Sequence, residues 1–134
     1  MNRLLALFLT FFAFLSLLHP LQVSAKHTTS APKGSPKVQA SVAKNRLSVQ
    51  TSFTNLSNAK SITYSITYDT SKGAQGAGGK IKLKSGQKRL SRKLLFGTCS
   101  GKVCTYHKNV KNIKLSVDFT LKSGGIVSYE KTLR

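Results

Sequence analysis

Two cysteines are the residues of this chain best placed to react with each other. Cys99 and Cys104 flank a short stretch centred on Gly101 and Lys102, and a threonine stands on the outer side of each cysteine. This near symmetry is typical of two facing segments joined by a tight turn, which brings the two Cβ atoms within disulfide range. We therefore predict a structural disulfide that stabilises the fold by about 2 kcal/mol. The enclosed turn, residues 100–103, is then a rigid exposed loop and a candidate contact site.

A metal site and a redox dithiol are the other uses of paired cysteines. A zinc site needs four ligands, and the cysteines with His107 fall one short unless the more distant Asp118 is recruited. A thioredoxin-like motif spaces its cysteines two residues apart beside a βαβ unit, and neither condition holds here. We therefore expect no metal and no cofactor.

Groups suited to acid–base or nucleophilic catalysis are few. The acidic residues number three, Asp69, Asp118 and Glu130, and His107 is the one histidine beyond residue 37. Asp118, His107 and a serine could form a triad, but no Gly-x-Ser-x-Gly sequence marks a nucleophile. Since hydrolysis and group transfer need such positioned groups, we predict that the protein is not an enzyme. Asp118 and Glu130 are expected to pair with lysines, and His107 to be a simple polar surface residue.

Positive charge is the second functional signal. The chain has 22 Lys and Arg against three acids, a formal charge of +19, which attracts polyanions without a specific pocket. Binding of this kind weakens steeply as salt rises. The candidate binding residues cluster along the sequence, with Lys111 and Lys114 on their flank; they are Lys80, Lys82, Lys84, Lys88, Arg89, Arg92, Lys93, Lys102, Tyr106 and Lys108.

The same lysines have a structural interpretation. Lysine on an edge strand keeps sheets from adding to one another, and a high net charge keeps a secreted protein soluble. Stacking on single-stranded nucleic acid needs accessible aromatic rings, whereas Tyr64, Tyr68 and Tyr129 are in phase with core residues. Only Tyr106 is expected to be accessible. An anionic polymer of the cell envelope is therefore a better candidate than nucleic acid, which would bind non-specifically.

The N-terminal residues 1–25 have the layout of a secretory signal peptide. Arg3 precedes an apolar run over residues 4–18, and Ala25 closes a small-residue cleavage site. An uncleaved anchor is the alternative, but the run is shorter than the roughly 20 residues that cross a bilayer. Removal of this segment takes away Arg3 and leaves a charge of +18. We predict a secreted protein, extracellular, periplasmic or at the cell surface, with no integral membrane span.

Residues 26–37 and 38–134 differ in composition. The first stretch is rich in Pro, Ser and Thr and poor in apolar side chains, so it predicts a flexible linker. In the second stretch apolar residues recur at every second position, the period of a strand with one buried face. The glycines in residues 71–79 predict a mobile loop, and Arg92 interrupts the alternation of its segment, which indicates a bulge or an edge strand. Residues 113–133 predict a hairpin with a Ser-Gly-Gly turn.

Seven or eight short strands with one apolar face each need two sheets that cover each other. We therefore predict an all-β fold, a two-sheet antiparallel β-sandwich over residues 38–134, with a small closed barrel as the alternative. In strand number, strand length and secreted setting this region resembles immunoglobulin-like and fibronectin type III-like modules. The resemblance is one of architecture, because the chain has no Trp and its cysteines are close in sequence. It transfers no functional residues.

These observations lead to one function and two alternatives. The expected function is that of a monomeric, secreted or cell-surface binding module that attaches to anionic envelope polymers, or to a protein partner, through a basic face. The alternatives are a cationic secreted effector that acts on membranes or other cells and a purely structural extracellular module. Asn55 begins an Asn-Leu-Ser glycosylation pattern, which matters only in a eukaryotic secretory pathway.

Overall fold

The computed structural model describes residues 34–134, which contain nine β-strands and one short 3₁₀ helix at Leu56–Asn58. The predicted all-β class is confirmed. The predicted signal peptide and the linker up to residue 33 lie outside the described residues. In chain order the strands are β1 (Lys37–Val42), β2 (Ser48–Thr54), β3 (Ala59–Thr70), β4 (Gly73–Lys82), β5 (Leu90–Leu95), β6 (Gly97–Ser100), β7 (Val103–Tyr106), β8 (Lys111–Leu121) and β9 (Ile126–Leu133).

All strand pairs are antiparallel and belong to three sheets. One sheet has the order β1-β2-β5, the second has the order β4-β3-β8-β9, and β6 pairs only with β7. The described strands outnumber the predicted seven or eight because the cysteine region forms its own hairpin, β6 and β7. The predicted hairpin over residues 113–133 is confirmed as β8 and β9.

Alternation of apolar side chains produces the core. In β3 the inward residues Ile62 and Ile66 are fully buried, and in β8 Ile113, Val117 and Phe119 are buried in the same way. The residues between them on β3 and β8 are mostly polar and point to the other side of the sheet. Each fully buried Ile or Phe side chain stabilises the fold by about 1.5–3 kcal/mol relative to an exposed one.

The predicted mobile loop over residues 71–79 is wrong, because residues 73–79 belong to β4 and pair with β3 along its length. Glycine is needed at two of these positions because a larger residue would collide with β3. A Cβ atom on Gly78 would lie 2.8 Å from the Tyr64 carbonyl oxygen, and one on Gly79 would lie 3.0 Å from the Tyr64 hydroxyl. Gly78 therefore allows the two backbones to approach closely, and Gly79 leaves room for the Tyr64 ring.

Apolar residues of both larger sheets belong to one buried cluster. Phe53 of β2 and Phe119 of β8 meet edge to face with their ring centroids 6.0 Å apart. Phe119 also contacts Tyr129 of β9, whose hydroxyl donates a 2.6 Å hydrogen bond to the carbonyl of Pro36. Because Pro36 is buried, this bond attaches the chain just before β1 to β9.

Candidate functional site

The predicted disulfide between Cys99 and Cys104 is confirmed. The two residues face each other in the β6–β7 register, with their Cα atoms 4.0 Å apart. Gly101 and Lys102 are the two central residues of the turn, and Gly101 has a φ of 60°. A positive φ at the first central position alone is the type II′ pattern, which matches the twist of the paired strands. The turn is therefore tighter than predicted, since Ser100 and Val103 are already paired.

The hairpin formed by β6 and β7 is exposed and partly apolar. Val103 has 73% of its surface accessible and Tyr106 has 39%, and Lys102 between the strands is also exposed. The accessibility of Tyr106 agrees with the prediction. The tip thus combines an apolar side chain and a cation at one disulfide-linked turn, whereas Tyr106 pairs with Gly97 at the base of the hairpin.

The base of the hairpin is attached to the core. Phe96, just before β6, is fully buried, and its backbone N–H donates to the Leu47 carbonyl at 2.9 Å. On the other strand the His107 N–H donates to the Phe96 carbonyl at 2.8 Å. At Gly97 a Cβ atom would collide with the Thr105 carbonyl oxygen. The two strands can therefore approach this closely only because residue 97 is glycine.

His107 differs from the predicted simple surface residue. It is half-buried, and its Nδ1 lies 3.1 Å from the hydroxyl of Tyr68. Tyr68 is only 3% exposed and contacts Phe96 edge to face at 4.7 Å. Burial raises the pKa of Tyr68 above its ordinary value of 10.0, while a hydrogen bond with the Gly97 backbone opposes that rise. The phenol is therefore neutral in the physiological range and orients the His107 ring.

The largest group of predicted binding residues lies on β4, on β5 and on the connection between them. We call this group the basic segment. All its side chains are exposed, and its members are Lys80 and Lys82 on β4, Lys84, Lys88 and Arg89 on the connection, and Arg92 and Lys93 on β5.

Backbone hydrogen bonds hold the connection inside the basic segment. The Gln87 N–H donates to the Lys84 carbonyl at 3.2 Å, and the Gln87 side-chain oxygen accepts from the Lys84 N–H at 3.0 Å. The Lys88 carbonyl accepts a 3.1 Å bond from the N–H of Leu56. The cationic side chains of the connection are thus carried on a defined turn.

Arg92 interrupts the apolar alternation because β5 is an edge strand. Its pairing with β2 has no register shift, which rules out the predicted alternative of a bulge at this position. Arg92 stands opposite the buried Thr51, whose hydroxyl donates to the Arg92 carbonyl at 2.9 Å. The Arg92 side chain is in step with the buried side chains of β5, but it remains exposed because β5 is at the edge of the sheet.

Lys102, Tyr106 and Lys108 are not brought together with Lys80 and Lys82. The first two lie on the hairpin, and the Lys108 carbonyl accepts a hydrogen bond from the N–H of Ser71, just before β4 begins. Lys82 is at the opposite end of β4, roughly 30 Å away at the usual rise per residue. The predicted candidates therefore divide into two groups.

Lys108, from the second group, lines a cleft that the sequence did not predict. The cleft has a volume of about 590 Å³ and is lined by residues 45–47, before β2, and 107–111, between β7 and β8. Its ionisable members are Arg46, His107, Lys108 and Lys111. The Arg46 guanidinium donates from Nη2 to the Val110 carbonyl at 2.9 Å, which joins the two lining segments. We call this feature the Arg46 cleft.

The three acids lie on the polar face of the four-stranded sheet. Asp69 accepts a 2.7 Å hydrogen bond from the Asn112 side chain, Asp118 stands opposite Thr63 and Ser128, and Glu130 stands opposite Ser116. His107 contacts Tyr68, which points into the core. Asp118 and His107 are therefore on different sides of the sheet, so the structure does not assemble the triad considered from sequence.

Other chemical sites can be assessed over residues 34–134. No cluster of three or more His, Cys, Asp or Glu side chains there could hold a metal ion. Within the same range no helix is long and apolar enough to cross a membrane. The glycosylation pattern at Asn55 lies in the turn between β2 and β3, where Asn55 and Ser57 are exposed and Leu56 is buried.

No protein-family model matches this chain, and no similar protein was found among the curated proteins or the solved structures.

Proposed function

We propose that this protein is a monomeric, secreted or cell-surface module without catalytic activity, which binds anionic polymers of the cell envelope through its basic segment. The observation that carries the proposal is the exposure of every cationic side chain from Lys80 to Lys93 on two consecutive edge strands and the ordered connection between them. A run of cations on one accessible surface attracts a flexible polyanion along its length.

The proposed architecture is an immunoglobulin-like or fibronectin type III-like sandwich of the two larger sheets. The single buried cluster shared by both sheets and the contact between Phe53 and Phe119 support this arrangement. β1 and β9, which are edge strands, contact each other. In a sandwich the other two edges, β4 and β5, then lie together on the opposite flank. This arrangement would place the strand-borne cations of the basic segment along one flank of the molecule.

Retention of the purified protein on immobilised poly(glycerol phosphate) tests the proposal. We expect retention at low salt and release as salt rises, with a linear dependence of log affinity on log salt. Charge reversal by Lys80→Glu, Lys82→Glu and Lys84→Glu should reduce the slope by about 2, because each lost phosphate contact removes about 0.7 from it for a flexible chain.

A matched control reverses the same number of charges on the opposite flank, with Lys37→Glu, Lys131→Glu and Arg134→Glu. These residues are exposed on or beside β1 and β9. Both triple variants have the same net charge, so a general effect of charge would weaken retention equally. Equal weakening by the two variants, or no retention of the unmodified protein, contradicts the proposal.

The exposed apolar tip of the hairpin favours a second candidate function, that of a cationic effector at membranes. Val103 is 73% exposed and lies next to Lys102, a combination that suits insertion below anionic lipid headgroups. Dye leakage from vesicles that contain phosphatidylglycerol tests this candidate. Leakage that is lost in Val103→Ser supports it, whereas intact vesicles at concentrations that saturate the polymer exclude it.

A further inference from the structure

The Arg46 cleft brings four nitrogen-bearing ionisable side chains to one concave surface. They are Arg46, His107, Lys108 and Lys111, and they come from two segments that are far apart in sequence. None of the three acids, all of which are among the described residues, belongs to the lining. A cleft lined by charges of one sign focuses their field, and Asp69, which stands opposite Lys111 in the strand register, lies just outside the lining.

We infer that the Arg46 cleft is a binding site for a phosphate group. A phosphate monoester presents oxygens in tetrahedral directions and carries nearly two negative charges at neutral pH. Donors that reach it from both sides of the cleft suit this shape better than that of a planar carboxylate. The volume of about 590 Å³ is sufficient for a phosphate attached to a small polyol or sugar.

Arg46 is held in position before a ligand arrives. Its backbone has a φ of 52°, a left-handed conformation that is uncommon outside glycine and asparagine, and its Nη2 donates to the Val110 carbonyl. That bond uses one of five guanidinium N–H donors. The remaining donors belong to a planar fork that can bind two oxygens of one phosphate, with less loss of side-chain freedom than an untethered arginine.

His107 is oriented by its contact with Tyr68. Whichever partner donates the proton, the bond engages Nδ1, which leaves Nε2 as the ring atom that can meet a ligand in the cleft. Lys108 and Lys111 add exposed ammonium groups. The Lys108 backbone is fixed to the N–H of Ser71, so the lining segment is tied to the start of β4 as well as to Arg46.

The inferred phosphate site makes the proposed function more specific. It depends on the proposed function only for the source of the phosphate. A poly(glycerol phosphate) chain end and a free phosphate monoester share the chemistry that the cleft recognises. Inorganic phosphate, glycerol 1-phosphate and poly(glycerol phosphate) are therefore three separate probes. If inorganic phosphate and glycerol 1-phosphate saturate the cleft but the polymer does not bind, the natural ligand is a free phosphate compound. That result contradicts the proposed function but not the inferred phosphate site.

Amide chemical shifts of the protein, titrated with inorganic phosphate at constant ionic strength, test the inference. We expect saturable shifts at residues 46–47 and 107–111, with a dissociation constant of about 1 mM, which is typical of a weak exposed site. Acetate should produce no saturable shift there. Arg46→Gln should weaken phosphate binding about ten-fold, because a charge-assisted bidentate contact is lost.

Two further variants separate a binding role from a structural one. Lys111→Gln removes a charge from the cleft and leaves the bond between Arg46 and Val110 intact, so a loss of about three-fold is expected. Lys37→Gln removes an exposed cation that belongs to neither the basic segment nor the cleft lining and should leave the phosphate affinity unchanged. The inference is overturned if shifts do not saturate, if acetate binds equally well, or if Lys37→Gln weakens binding as much as Lys111→Gln does.

Discussion

The Tyr68 hydroxyl and the His107 ring nitrogen Nδ1 lie 3.1 Å apart and connect β3 to the residue that follows β7. Tyr68 also contacts Phe96 at the other end of the hairpin base. One buried side chain thus touches both segments from which the hairpin emerges. The position of the hairpin, and that of His107 in the Arg46 cleft, depends on this tyrosine.

Alkaline pH should remove the stabilisation that Tyr68 provides. The pKa of Tyr68 is raised in the folded protein, chiefly by burial, so the folded state binds the phenolic proton more tightly than the unfolded state does. This contribution is fully present below pH 10 and is lost as pH rises through the raised pKa. Tyr68→Phe should lower the unfolding free energy by about 1 kcal/mol at pH 8 through the lost hydrogen bond.

Denaturant unfolding of both proteins from pH 8 to 11.5 measures this effect. The stability difference between the unmodified protein and Tyr68→Phe should shrink above pH 10, since the unmodified protein then has an additional cost of ionising or exposing the phenol. Lysine titration affects both proteins and cancels in the difference. A difference that stays constant over the whole range would contradict the prediction.

Loss of the disulfide should loosen the hairpin and leave both larger sheets intact. The bond closes a short ring, so the double variant Cys99→Ser, Cys104→Ser should lose about 2 kcal/mol of stability. Hydrogen exchange should accelerate at β6 and β7, while amides between β3 and β8 keep their protection relative to global unfolding. A collapse of protection throughout the four-stranded sheet would show that the disulfide supports the whole fold.

Gly97→Ala should separate the base of the hairpin. The added methyl group meets the Thr105 carbonyl, and relief of such a clash costs about 1–3 kcal/mol. Gly125→Ala is the matched control, because a Cβ atom there approaches only the Leu121 side chain, at 3.9 Å. Its stability should change by less than about 0.5 kcal/mol. Equal melting temperatures for the two variants would refute the close approach.

A double-mutant cycle on Phe53 and Phe119 tests whether the two larger sheets pack together. Their edge-to-face contact at 6.0 Å should give a coupling energy of about 0.5–1.5 kcal/mol between Phe53→Leu and Phe119→Leu. Leucine keeps each position apolar and limits the risk that the chain does not fold. Additive effects of the two substitutions would mean that these rings do not meet in solution.

The sequence predicts a strand best where alternating apolar and polar side chains show which face of the strand is buried. β8 and β9 are recognisable because Ile113, Val117 and Phe119 alternate with polar residues, and the cysteine pair is recognisable from its own symmetry. β4 is not, because its glycines have no side chains to show an inward and an outward face. These glycines leave room for the Tyr64 ring and for the backbone of the neighbouring strand, which the sequence of β4 alone does not show.

The Arg46 cleft could not be predicted for a different reason. Its two lining segments are joined by a hydrogen bond between residues 64 positions apart, Arg46 and Val110. The alternation of apolar and polar residues shows which face of a strand is buried. It does not give the distance between two turns that are far apart in the sequence. The role of His107 is hidden in the same way, since its partner Tyr68 is 39 positions away.

The three acids share the polar face of the four-stranded sheet with lysines, because Thr63 pairs with both Lys80 and Asp118 and Asp69 stands opposite Lys111. Each acid therefore offsets part of the positive charge of this face. β5 and the hairpin formed by β6 and β7 contain no acid and keep their positive charge in full. First encounters with an anionic layer are therefore biased toward these acid-free elements, as long as the ionic strength leaves long-range fields unscreened.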